Sequence, residues 1–136
     1  MRYSQLFSTA IAITLLATVA AFATTPTAKS VVQVDWQKAE KNYLAALHSE
    51  NTGLRQSAMH FLGEYRLKGS VNDLVAVLHS DKVEYNRMAA AKALVKINES
   101  NGVKAVEEAA LYDGSDKVSR YCEQLLKNSE NISLKD

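Results

Sequence analysis

Few side chains in this chain of 136 residues could do chemistry: one cysteine, Cys122, three histidines, and two arginines in matching contexts, Arg55 and Arg87. Cys122 stands in an apolar helical string where two similar strings carry Ala58 and Ala90, so it reads as a small buried hydrophobe. In an oxidising compartment the lone thiol has two other uses, an intermolecular disulfide or a covalently held ligand. His48 and His79 each end a helical string in a Leu-His-Ser triplet, where a donor complements the helix dipole. As a stacked pair they could share a metal, but no third ligand accompanies them and no two histidines are four apart. His60 has no nucleophile or carboxylate that the sequence assigns to it for general-base work. Arg55 and Arg87 begin helices just after turns that hold Glu50 and Asp81. They either bind a carboxylate or phosphate bidentately or serve the fold.

The elements that must position these groups are helices. LRQSAMHFLG from Leu54, NRMAAAKALV from Asn86 and VSRYCEQLLK from Val118 share a pattern and start 32 residues apart both times. Leu54, Ala58, Phe61, Leu62 and Tyr65 fall on one stripe of the first string. Ala90, Ala93, Leu94 and Ile97 match in the second, and Val118, Cys122, Leu125 and Leu126 in the third. An apolar helix precedes each string, over residues 36–48, 71–79 and 103–112, so the unit is a helical hairpin. Ser70 with Asp73 and Asp81 with Glu84 have the spacing of helix N-caps, and Gly69 and Asn101-Gly102 read as punctuation between units. A hairpin buries its faces only against neighbours, and about three repeats is the usual minimum. The expected fold is all-α: a short right-handed α-α superhelix of three antiparallel hairpins, 35–67, 70–98 and 102–128, with a polar tail over 129–136.

Before the repeats, Met1 and Arg2, an apolar run from Ile11 to Phe22 and small residues at Ala21 and Ala23 form the three regions of a secretory signal peptide. The competing reading is an uncleaved anchor. Cleavage leaves 113 residues, of which 24–34, with the single Pro, read as a linker. It also removes Arg2, so 15 basic and 15 acidic residues remain and the expected compartment is periplasmic or extracellular, with no stable membrane span. A balance of 47% apolar and 23% charged residues excludes collagen-like and highly charged disordered classes.

The strings Leu54-Arg55-x-x-Ala58-x-x-Phe61-Leu62-Gly63 and Arg87-x-x-Ala90-Ala91-x-Ala93-Leu94 resemble the second helix of HEAT repeats, especially the short bacterial kind related to phycobilisome lyases. The third copy departs, with Ser119 at the Arg position and Cys122 in place of Ala. The tetratricopeptide repeat has a similar period, but Ala39 and Glu40 stand where its Leu-Gly pair would follow Trp36. The resemblance implies a protein-interaction scaffold, an Asp-Arg ladder joining neighbouring turns, and second helices lining a concave face. On it the structural repeat positions are Leu54, Arg55, Ala58, Leu62, Arg87, Ala90, Leu94, Val118, Cys122 and Leu126.

Second helices taken as 53–66, 82–97 and 116–127 hold nine basic residues against four acidic ones, so that face leans positive while the outer helices lean negative. The expectation is an exported, non-enzymatic module that binds another protein or an acidic peptide segment through Gln56, Met59, His60, Met88, Lys92, Arg120 and Gln124. The alternative is a small ligand-binding or lyase-like protein using Cys122 or the His48/His79 pair. Self-association through exposed apolar ends of the stack is a further option. No Gly-rich phosphate loop, metal-ligand spacing or basic run interleaved with aromatics points to a cofactor, a metal or nucleic acid.

Overall fold

The computed structural model describes residues 33–133, so the expected signal peptide, 1–23, and the expected linker up to residue 32 lie outside the described residues. Six helices follow in order: α1 Trp36–Leu47, α2 Thr52–Glu64, α3 Val71–Ser80, α4 Glu84–Ile97, α5 Ser100–Tyr112 and α6 Asp116–Ser133. A single 3₁₀ turn, Lys68–Ser70, leads into α3. The fold is an all-helical α-α solenoid of three hairpins. α4 sits at its centre, packed on α2 and α6 of its own row and on α3 and α5 of the other.

Local chemistry sets the helix ends. Asp35 and Asn51 cap α1 and α2, their side chains accepting from the N–H groups of Lys38 and Leu54 at 3.0 and 3.1 Å. Ser70 and Asp81 do not cap as their spacing suggests. The Ser70 hydroxyl donates to the Leu67 carbonyl at 2.6 Å, and Asp81 follows the end of α3, where it shapes the next turn. α2 ends in a Schellman motif: the Leu67 N–H donates to the Leu62 carbonyl and the Arg66 N–H to that of Gly63, with Arg66 at φ 50°. A left-handed arginine is strained where glycine would not be.

Leu62, Leu74, Leu78, Leu94, Val106, Val118 and Cys122 are fully buried along the axis between the two rows. Each buried Leu is worth about 1.5–3 kcal/mol relative to an exposed one. Two glycines permit close helix approach. A Cβ on Gly63 would lie 2.8 Å from Ala93 Cα, and one on Gly102 would lie 3.0 Å from Leu94 Cδ2. Gly102 therefore belongs to the packed interior of α5 and does not punctuate the link. Leu54, expected on the apolar stripe, is 49% exposed, since among the described residues no hairpin precedes α1 to cover the first turn of α2. Phe61 and Tyr65 are likewise open at that end. They form an aromatic cluster with Tyr43 and Trp36, with Trp36 and Tyr65 centroids 4.8 Å apart. α6 continues through Ser133, past residue 128.

Candidate functional site

The turns between the helices of each hairpin repeat the same hydrogen bond. At residues 49, 81 and 113 the side chain of Ser, Asp and Asp accepts the N–H two residues on, from Asn51, Val83 and Ser115, at 3.1, 2.8 and 2.8 Å. Each ladder arginine clasps its own turn and reaches the next one. Arg55 donates to the Ser49 and Glu50 carbonyls, and Arg87 to the Asp81 carbonyl. Arg87 then forms a bidentate pair with Asp113, both bonds 2.9 Å, while Arg55 stands 3.5 Å from Asp81. The partner of each arginine is thus the acid of the following repeat. The turn preceding Arg87 offers it a carbonyl, and Asp81 itself serves Arg55.

The two rungs are unequal because Asp81 is shared. Its Oδ2 accepts from Asn86 Nδ2 at 2.9 Å, and Asn86 in turn accepts from Gln56. This leaves Arg55 Nε buried without a hydrogen-bond partner. The equivalent of Asn86 in the third repeat is Val118, which makes no claim on Asp113. Burial of Asp113 opposes its ionisation, but the Arg87 hydrogen bond, the Ser115 N–H and the Arg87 charge outweigh it and hold the carboxyl below the usual aspartate range. The Asp113 hydrogen bond likewise raises Arg87, against the cost of its burial. Both arginines are spent within the fold.

On the second-helix face lies a depression of about 260 Å³, lined by Gln56, Met59, His60, Tyr85, Met88, Ala89, Lys92, Ala93, Lys96 and Tyr121. It gathers five of the seven residues expected to bind a partner and leaves out Arg120 and Gln124, which lie exposed on α6. Met59 is 0% exposed, so it underlies the floor and does not present a surface. Gln56 is held by Asn86. His60 does have a carboxylate neighbour, Glu64, one helical turn away at 3.7 Å. Tyr85, Ala89, Ala93, Lys96 and Tyr121 also line it, and of these Tyr85 and Lys96 stand three and eight residues from Met88 on α4.

The positive balance of the face is smaller than the count of second-helix charges suggests. Arg55 and Arg87 belong to the ladder, and Lys96 is paired with Glu64, whose carboxyl it lowers chiefly through their hydrogen bond. Lys127 pairs with Glu123. Lys92 is exposed and in no ion pair among the described residues, and Lys117 lies 3.9 Å over the Tyr85 ring. Lys92 is thus the lysine of the lining outside an ion pair, and Lys117 borders the groove through Tyr85.

The reactive candidates are elsewhere. Burial pushes the Cys122 thiol up to about 11, aided by the Asp113 charge, and its side chain is fully enclosed. His48 is exposed and 4.0 Å from Asp73, and His79 borders a second depression of about 460 Å³ with Arg87, Glu108, Tyr112 and Asp113. Among the described residues, no three His, Cys, Asp or Glu side chains are grouped to hold a metal ion. None of the described helices is long and apolar enough to cross a membrane.

A family model for HEAT repeats matches residues 40–127. No curated protein and no solved structure matches the chain. HEAT repeats generally mediate protein–protein interaction. With the hairpins, the inter-turn ladder and this match together, the chain belongs to the HEAT-repeat family.

Proposed function

We propose that the chain is an exported, non-enzymatic protein-binding module of the short bacterial HEAT type, working in the periplasm or outside the cell. The groove on the α2, α4 and α6 face carries this reading. It combines an apolar floor, aromatic walls, Lys92 outside any ion pair among the described residues and Lys117 at its border over Tyr85, the features of a partner-binding patch rather than a reaction centre. Its volume, about 260 Å³, lies below the roughly 300–1,000 Å³ of small-molecule pockets and suits a side chain of a docked segment. The segment is acidic, since Lys92 and Lys117 face it. Export rests on the charged start, apolar run and small-residue exit of residues 1–23. The test is capture of partners from the organism's own exported fraction, followed by titration against salt. Binding that weakens as ionic strength rises and fails with Lys92→Glu supports the groove. Binding indifferent to both refutes it.

A further inference from the structure

The segment that fits this groove is carried by the chain itself. We propose that the groove of one copy takes the C-terminal edge of α5 from a second copy. This rests on the groove being a protein-binding site. On α5, Glu107 and Glu108 are exposed, and one helical turn on are Leu111 and Tyr112, at 72% and 80% the most exposed large apolar residues of the described chain. Acid and apolar group are thereby paired twice, Glu107 with Leu111 and Glu108 with Tyr112. The groove and its border repeat that spacing with the opposite charge: Met88 and Lys92 line it from α4, and on α6 Lys117, set over the ring of the lining Tyr85, stands one turn before the lining Tyr121.

Exposed Leu and Tyr side by side are costly to leave in water unless something covers them. The edge and the groove lie on different helix rows, so within one copy the edge stays open. A chain with 16 basic and 15 acidic residues has no net repulsion to keep copies apart. Two unlike patches meet, so the contact closes by mutual exchange across a two-fold axis or runs on from copy to copy.

Charge reversal tests this directly by sedimentation velocity of the purified protein over a concentration series. The wild-type protein is expected to associate, at least tenfold more weakly in Lys92→Glu/Lys117→Glu and in Glu107→Lys/Glu108→Lys alone. An equimolar mixture of the two variants restores association, since each then offers what the other lacks. All four positions are exposed, and unchanged thermal melts confirm that both variants fold. A wild-type protein that stays monomeric, variants that associate like wild type, or a mixture that fails to recover would each overturn the proposal. A labelled peptide of residues 107–113 separates this from the reading beneath it. A monomeric protein that captures an unrelated acidic peptide through Lys92 but not this one loses only the second-copy occupant. A groove that binds no acidic peptide loses both.

Discussion

The turn edge and the second-helix face are built from the same repeats and both carry cations, yet the cations do opposite things. At the edge, Arg55 and Arg87 meet an acid one repeat further on, and their guanidinium groups are mostly buried. On the face, Lys92 and Lys117 are exposed and in no ion pair among the described residues. The arginines recur at the 32-residue period, whereas Gln124 and Tyr85 stand at the repeat equivalents of Lys92 and Lys117. What distinguishes a structural cation from an available one is whether the next repeat supplies a partner at the matching turn. The same rule separates the rungs: Asn86 diverts Asp81 from Arg55, while Val118 leaves Asp113 to Arg87.

The largest effect should follow from breaking the better rung. Arg87→Ala strands the 7%-exposed Asp113 and should cost about 3 kcal/mol in denaturant unfolding. Arg55→Ala removes a rung already stretched to 3.5 Å and should cost about 1–2 kcal/mol, mostly through its bonds to the Ser49 and Glu50 carbonyls. Equal losses would refute the explanation through Asn86. Replacing the left-handed Arg66 by Gly should raise stability by about 1 kcal/mol, since it relieves backbone strain without touching either region.

Acid should sharpen the contrast further. Because Asp113 ionises more readily in the fold than in the unfolded chain, its contribution is full above about pH 4 and is lost as pH falls through the depressed folded value. Thermal melts between neutral pH and pH 2.5 should therefore fall less steeply for Asp113→Asn than for wild type. Cys122 should resist alkylation at pH 8 in the folded protein and react on unfolding, as an enclosed thiol raised to about 11 requires.

Much of this was legible in the sequence. The three strings 32 residues apart locate α2, α4 and α6, and Arg55 and Arg87 stand out by register. The acid they pair with did not, because the repeated turn position 49/81/113 begins with Ser49, and a serine in that place hides the pattern of aspartates. Gly102 was misread since glycine marks both breaks and close packing, and only the neighbouring Leu94 and Val71 decide between them. Met59 lines the groove yet is 0% exposed, and its burial is not legible because one residue of helix is a rotation of about 100°, enough to turn a side chain from surface to floor. Tyr121 entered the groove from a third helix, which no single-helix pattern can show.

The claim that the edge holds the fold and the face does not is tested most directly by unfolding Arg87→Ala and Lys92→Ala side by side in denaturant. The account predicts a loss of about 3 kcal/mol for the first and a change within about 0.5 kcal/mol for the second. Comparable losses from the two would contradict it.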